Sequence, residues 1–318
     1  MRLSRALLLI LTLPVLLSAQ SLDEGVALLG KRKYAEARVI FDSILKKDNK
    51  NAEAHYRLGQ VFLSNQLLDV DVAVDHMEEA VDLNPQSADY QYGLGAALGL
   101  KARDAGVIKQ AFLAPRVKGA FEKAVELNPS LVEAHVGLVE YYRRAPGIMG
   151  GDMAKAWREA DIVIGLDEFR GRPLKANLFL AEKRNAEAVQ ELNQLTSKRP
   201  KDWRAWRTAG IFYWRNKMSD EAASSFEKYT LLRPDTADSF VFLGRAYLQK
   251  KDADKAIALC AKALALDDKY TPAYDVLAQA HELKGQKKEA LQAYERLLTA
   301  DLSPDQKQNI QKKIKELQ

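Results

Sequence analysis

The sequence predicts an all-α protein, a solenoid of about eight stacked helix pairs closed by a C-terminal capping helix. The first observation is a small residue that returns at intervals of 34, at Ala176, Gly210, Gly244 and Ala278. The second is the stretch from Trp203 to Pro234, where aromatic and small residues recur at helical spacing before a proline. Since one helix pair cannot bury its own apolar face, such units must stack on their neighbours.

The best-defined unit reads Trp206-x2-Ala209-Gly210-x2-Tyr213, then Ala222-x3-Phe226, then Pro234. It resembles the tetratricopeptide repeat (TPR), which has Leu where this unit has Ala209. In such a repeat the small residues allow two helices to approach closely, and the proline ends the second helix. The resemblance covers roughly residues 20 to 318 and implies a right-handed superhelical solenoid of TPR-like helix pairs.

The repeat register predicts a solenoid over 20–302 and a capping helix over 303–318, with Ser303 as its N-cap and Pro304 in its first turn. The predicted units lie near 18–51, 52–87, 88–131, 132–168, 169–202, 203–236, 237–270 and 271–302. Insertions interrupt the register at 101–116 and 145–151. The first is interpreted as an extension of the first helix of its pair, with a lid over the groove as the alternative. The second is glycine-rich and predicts a turn with positive φ.

The first nineteen residues have the layout of a secretory signal peptide. Arg2 and Arg5 precede an apolar run over Ala6–Leu17, which is too short to span a membrane as a helix. Cleavage after Ala19 would release a soluble protein into the periplasm or another extracytoplasmic space. An uncleaved N-terminal anchor is the alternative, and no other membrane association is predicted.

The charge pattern does not indicate a nucleic-acid partner. Lys and Arg (48) slightly outnumber Asp and Glu (43), and the two signs are interspersed along the chain, as on an ordinary solvated helical surface. The single cysteine, Cys260, cannot form an intramolecular disulfide. It falls at a repeat position that expects a buried residue, which predicts an inert core role.

No catalytic constellation, metal site or cofactor motif is found, and the sequence predicts that the protein is not an enzyme. His55, His135 and His281 occupy repeat positions where an aromatic core residue is expected. His76 has no second histidine one helical turn away, so the zinc pattern of metalloproteases is missing. Neither a nucleophile elbow nor a Walker-type phosphate loop occurs.

A basic and aromatic cluster around 198–217 is the most informative candidate site. The residues predicted to line a peptide-binding groove are Arg170, Trp203, Arg204, Arg207, Trp214, Arg215 and Arg245. The resemblance places Arg204, Arg207 and Trp214 on the concave face of the repeats, and Trp206 in the core. Guanidinium groups bind carboxylates bidentately and stack on aromatic rings, so an acidic peptide or a C-terminal carboxylate is the predicted partner. Ordinary surface charge with packing between repeats is the alternative.

These features together predict an exported, bacterial periplasmic TPR scaffold that mediates protein–protein or protein–peptide interaction through its concave groove. The alternative is a binder of acidic small ligands or glycans, in which the insertion at 101–116 covers the groove. A largely apolar pocket between that insertion and the groove would favour the alternative.

Overall fold

A computed structural model describes residues 22–300, 302 and 304–318. The predicted signal peptide and Ser303 lie outside these residues. Within them the chain is helical and contains no β-strand. The helices are α1 (22–30), α2 (Tyr34–Lys47), α3 (Ala52–Phe62), α4 (Val70–Leu83), α5 (Ala88–Arg103), α6 (Val107–Leu127), α7 (Val132–Arg144), α8 (Met153–Leu166), α9 (Glu168–Ala181), α10 (Asn185–Lys198), α11 (Trp203–Arg215), α12 (Ser219–Leu232), α13 (Ala237–Gln249), α14 (Ala253–Leu266), α15 (Thr271–Leu283), α16 (Lys287–Leu297) and α17 (Pro304–Leu317).

The helices pack in consecutive pairs, and the first helix of a pair also contacts the first helix of the next. This arrangement confirms the predicted all-α solenoid class. The chain forms two compact units, each of which contains several of the predicted repeats. We call them unit 1 (up to Leu166) and unit 2 (from Asp167). Unit 1 contains the pairs from α1/α2 to α7/α8, and unit 2 contains those from α9/α10 to α15/α16 followed by α17.

The two helices of a pair approach each other closely where the first helix carries the small residue that recurs in each repeat. A Cβ atom added to Gly210 would lie 2.5 Å from the ring of Phe226, which is fully buried. A Cβ atom added to Gly59 would lie 2.7 Å from the side chain of Met77 in the same way. A large side chain on the second helix thus fills the space that the small residue leaves on the first.

A recurring hydrogen bond ties five of the described first helices to the turn before them. The indole Nε1 of Trp206 donates to the backbone carbonyl of Pro200, six residues earlier, at 2.9 Å. The same six-residue contact is made by the side chains of His55, Gln91, His135 and Tyr274. The repeat position of Trp206 therefore accommodates a side chain whose polar tip reaches this carbonyl, and histidine and tryptophan both occur there, whereas Phe240 holds the position without such a group.

The turns between paired helices in unit 2 share one backbone conformation. Lys183, Lys217 and Lys251 have φ of 61°, 60° and 63°, and Gly285 follows at the same interval with φ of 70°. This left-handed conformation ends a helix and favours glycine, because other residues meet a steric penalty from their Cβ atom. Three lysines therefore stand at positions where glycine would be less strained.

The insertion at 101–116 does not extend the first helix of its pair, contrary to the prediction from the sequence. Helix α5 ends at Arg103, and the inserted residues mainly lengthen the second helix of the pair, α6, to 21 residues. Pro115, expected in an apolar loop or an extended first helix, lies inside α6. The prediction that the insertion extends the first helix is therefore wrong. The prediction missed it because a proline nine positions into a helix normally argues against that helix.

The insertion at 145–151 is a turn, as predicted. Residues Gly147–Met149 form a short 3-10 turn, and Gly150 follows with φ of 90°. A Cβ atom on Gly151 would lie 1.7 Å from the carbonyl oxygen of Ala145. Backbone geometry thus requires glycine at positions 150 and 151.

Helix α17 packs against α16 through Ile310, which is buried beside Tyr294 and Leu297. Its other positions are mostly exposed, as expected for a helix that closes a repeat row. No helix within the described part of the chain is both long and apolar enough to cross a membrane.

Candidate functional site

Helix α11 brings two of the predicted groove residues next to α13. The guanidinium of Arg207 lies 5.0 Å from the centre of the Phe242 ring, and that of Arg245 lies 5.6 Å from it. Arg245 also lies 5.7 Å from the ring of Trp214. We call Arg207, Trp214, Phe242 and Arg245 the arginine–aromatic row. Two guanidinium groups and an indole thus share one surface of unit 2.

A carboxylate holds the first arginine of this row in place. Asp238 Oδ2 accepts from Arg207 Nε at 3.2 Å and from the Tyr229 hydroxyl at 2.9 Å, and Oδ1 accepts from the Tyr270 hydroxyl at 2.9 Å. Burial raises the pKa of Tyr229 to about 12, with the hydrogen bond to Asp238 as the next cause. Burial also raises the pKa of Tyr270, with the charge of Asp238 next. Both phenols therefore remain protonated donors at neutral pH.

Arg245 and Arg204 also have carboxylate partners. Arg245 is 3.9 Å from Asp275, which is an ion pair longer than a hydrogen bond. Arg204 donates to both oxygens of Asp202, the N-cap of α11, and lies 4.9 Å from the ring of Phe169. The hydrogen bonds from Arg204 lower the pKa of Asp202. The positive charge of the predicted groove residues is therefore partly neutralised by acids of the same unit.

The remaining predicted residues are Trp203, Arg215 and Arg170. Trp203 stacks on Tyr229 with ring centres 5.6 Å apart, and the guanidinium of Arg233 lies 5.2 Å from its ring. Trp203 thus contributes to the packing of its own helix pair. Arg215 is exposed in the last turn of α11, and Arg170 is exposed in the first turn of α9.

Sequence reasoning missed the acids that organise this surface. Asp238 follows Arg207 by 31 residues and Asp275 follows Arg245 by 30, so each pair joins neighbouring repeats. A search for opposite charges slightly less than one repeat apart could have found both. A buried ion pair was also missed. Arg172 lies at the repeat position where an aromatic core residue is expected, and the repeat pattern does not predict a charged pair there. Its Nη1 lies 2.6 Å from Glu191, and both residues are buried.

Unit 1 contains a different feature, a cavity of about 520 Å³ that we call the insertion cavity. Its walls are mostly small or apolar residues of α5, α6 and α7 together with the turn after α7: Ala96, Gly99, Leu100, Ala102, Ala114, Val117, Phe121, Gly137, Ala145, Pro146 and Met149. Ala96 and Gly99 hold the repeat positions that Arg245 and Trp214 hold in unit 2. Both insertions line the cavity, although the sequence separates them by almost thirty residues.

Few polar side chains line the insertion cavity. They are Arg103, Gln110, Glu140, Tyr141 and Arg144. Gln110 already donates to the carbonyl of Ala105, and the Tyr141 hydroxyl donates to that of Met149. Glu140 accepts from Arg144 Nε at 2.7 Å and also from Arg143. Arg103 is exposed and pairs with the adjacent Asp104.

No other chemistry is evident in the described residues. They contain no group of His, Cys, Asp and Glu that could hold a metal ion. Cys260 is buried, and burial raises its pKa to about 12, so the thiol is protonated at neutral pH, which agrees with an inert core role. His135 is buried and has partners at both ring nitrogens, Glu159 and the carbonyl of Pro129.

The repeat structure agrees with comparisons to known proteins. Models of the tetratricopeptide repeat match residues 22–70, 174–230 and 213–271, and a second such model matches 271–304. The chain belongs to the tetratricopeptide repeat family. It is also 26% identical over 287 residues to Superkiller complex protein 3 of Mus musculus, and 26% identical over 259 residues to that of Homo sapiens. These matches cover 87% and 79% of the chain but only 17% and 16% of the relatives.

Solved structures show the same TPR fold. The crystal structure of yeast Tom70 superimposes with a TM-score of 0.65 at 14% identity, over 94% of this chain and 64% of that one. A TPR protein from Parabacteroides merdae gives a TM-score of 0.50 at 15% identity, over 83% of this chain and 98% of that one. At these identities the likeness concerns the fold alone. TPR proteins are interaction scaffolds, which is the coarse function of this chain.

Proposed function

We propose that this TPR protein is an exported scaffold that binds an acidic segment of a partner protein along the arginine–aromatic row of unit 2. The observation that carries the proposal is the convergence of Arg207, Trp214 and Arg245 around Phe242. Arg204, Arg215, Arg170 and Trp203 are proposed to extend this surface. Guanidinium groups beside aromatic rings bind carboxylates with both charge and shape complementarity.

The internal acids support binding because they orient the arginines. Arg207 uses Nε for Asp238, and its two terminal nitrogens have no partner among the described residues. Arg245 meets Asp275 only at 3.9 Å. Donors of both groups can therefore face a ligand carboxylate, while the neighbouring rings restrict their rotamers. Such preorganisation lowers the entropic cost of binding.

The proposed surface is tested by replacing Arg204, Arg207 and Arg245 together with Gln, which removes three charges but keeps donors for Asp202, Asp238 and Asp275. The matched control replaces Lys228, Lys262 and Lys288 with Gln, since these are exposed lysines on the second helices of their pairs. Both proteins are used as bait in an envelope extract. Loss of acidic partners from the arginine variant alone supports the proposal. An unchanged set of partners contradicts it.

Export is supported by the two arginines and the apolar run that precede Ala19. Expression of the full chain in a bacterium, followed by fractionation and N-terminal sequencing, tests it. The expected product starts at Gln20 and is recovered from the periplasm. A product that retains Met1 and stays in the cytoplasm would exclude this part of the proposal.

A further inference from the structure

We infer that the insertion cavity of unit 1 is a binding site for a small amphipathic carboxylic acid, whose apolar body fills the cavity and whose carboxylate meets Arg103 and Arg144. The site is separate from the arginine–aromatic row, because all of its lining residues belong to unit 1. The alternative predicted from the sequence, a binder of acidic small ligands or glycans, thus receives one chemical class of ligand and one location in the fold.

Residues of both insertions form part of the wall of the cavity. Ala114 lies in the inserted part of α6, and Pro146 and Met149 lie in the inserted turn. On the facing helix α5 the wall consists of small residues, including Ala96 and Gly99. A volume of about 520 Å³ lies within the range of small-molecule sites, which are mostly apolar with a few polar groups.

The arginines supply the charge complementarity. Among the described residues, Arg103 pairs with its exposed sequence neighbour Asp104 alone, and such exposed pairs contribute little free energy. Arg144 is 65% exposed and shares Glu140 with Arg143, so Glu140 keeps a partner if Arg144 turns to a ligand. Glu140 is the one acid among the lining residues, and its charge is already paired.

The polar groups of the cavity argue against a peptide or a glycan. Gln110 and Tyr141 use their donors on backbone carbonyls of the protein. Few groups remain to pair with the amides of a peptide or the hydroxyls of a sugar, and unpaired polar groups are costly to bury. An aliphatic chain with one terminal carboxylate requires no such partners except the two arginines.

Gly99 provides a variant that fills the cavity without disturbing the core. A Cβ atom on Gly99 would meet only Val117 Cγ1, at an ordinary contact distance of 3.8 Å. Gly99→Leu therefore places a branched side chain in the cavity. Gly119→Leu is the matched control, because Gly119 is an exposed glycine of α6, lies outside the cavity and has nothing within 4 Å of its Cβ position.

The experiment is a titration of the full-length protein with sodium hexadecanoate by isothermal calorimetry, with hexadecanol as the uncharged probe. We expect saturable one-site binding of hexadecanoate that is at least tenfold weaker for Gly99→Leu and unchanged for Gly119→Leu. Replacing Arg103 and Arg144 with Gln should weaken it about tenfold, as for lost hydrogen bonds to a charged group. Circular dichroism confirms that each variant is folded.

Several outcomes would overturn the inference. They are the absence of hexadecanoate binding, equal binding by Gly99→Leu and Gly119→Leu, or equal affinity for hexadecanol. Preferential binding of an acidic peptide in place of hexadecanoate would also overturn it. The Gln variant of Arg204, Arg207 and Arg245 should bind hexadecanoate normally. Failure of the unit 2 proposal and failure of this inference are therefore distinguishable.

Discussion

Unit 1 and unit 2 are built from the same helix pairs but present different surfaces. In unit 2 the register is regular, and its central surface carries arginines held by aspartates and aromatic rings. In unit 1 two insertions break the register and contribute to the lining of an apolar cavity. At corresponding repeat positions, unit 2 has Trp214 and Arg245 where unit 1 has Gly99 and Ala96. The fold sets these positions, and the side chains decide which chemistry is displayed.

The largest difference between the two units is expected in their cores. Phe226 in unit 2 is fully buried and stacks on Phe242 with ring centres 5.2 Å apart. Phe121 holds the same repeat position in unit 1, but it borders the cavity. Phe226→Ala should lower the free energy of unfolding by about 4 kcal/mol, near the middle of the range for buried aromatic residues. Phe121→Ala should cost about 1 to 2 kcal/mol less, because fewer contacts are lost.

Urea unfolding of both variants, followed by circular dichroism, measures this difference. Val39→Ala serves as the control for a generic side-chain truncation, since Val39 is 65% exposed. Equal losses for Phe121→Ala and Phe226→Ala would show that Phe121 is packed as fully as Phe226. The cavity would then not be an open space in solution.

An intermediate effect is expected at alkaline pH from the buried phenol of Tyr229 in unit 2. The pKa of Tyr229 is raised by burial and by Asp238 from its ordinary value of 10.0 to about 12. Because the folded-state pKa is the higher one, its contribution to stability is complete below pH 10 and is lost as pH rises through 12. A shift of this size corresponds to at most about 3 kcal/mol.

Tyr229→Phe should flatten the fall in stability over that interval of pH, measured by urea unfolding in a series of alkaline buffers. Tyr274→Phe is a suitable control, because its hydroxyl donates to a backbone carbonyl and has no carboxylate partner. If both variants lose stability with the wild-type slope, the pKa of Tyr229 is not raised in the folded protein.

The smallest expected effect concerns the left-handed turns of unit 2. Lys217→Gly should raise the free energy of unfolding by about 0.5 to 1 kcal/mol, because glycine adopts a φ near 60° without a steric penalty. Gly285→Ala at the equivalent turn should lower it by a similar amount. Thermal unfolding measures both changes. A loss of stability in Lys217→Gly would mean that the lysine side chain has a stabilising role.

Regular repetition made much of the fold predictable. The interval of 34 between small residues fixed the register, and the register predicted that Cys260 is buried, as it is. Trp206, also predicted to lie in the core, is only partly buried and packs against it. The register also pointed to Arg207, Trp214 and Arg245. It gave no indication that Asp238 and Asp275 hold two of these arginines, because charge pairs between repeats depend on side-chain reach, which the pattern of apolar residues does not describe.

The meeting of the two insertions at one cavity could not be predicted, for a related reason. Residues 101–116 and 145–151 have no repeat period, so the sequence contained no register that would bring Ala114 and Pro146 to the same space. A proline inside α6 also contradicted the usual rule for helix boundaries. Irregular segments depend on tertiary packing, and their partners become visible only in three dimensions.

Site-specific photo-crosslinking in living cells tests the central claim, that the arginine–aromatic face of unit 2 binds a protein partner. A benzophenone amino acid is placed at Arg215, beside Trp214, and in a second protein at Leu231, which is 73% exposed on a second helix. Mass spectrometry then identifies the captured peptides. We expect a specific partner, crosslinked through an acidic segment, from position 215 alone. Identical products from both positions, or none from position 215, would contradict the central claim.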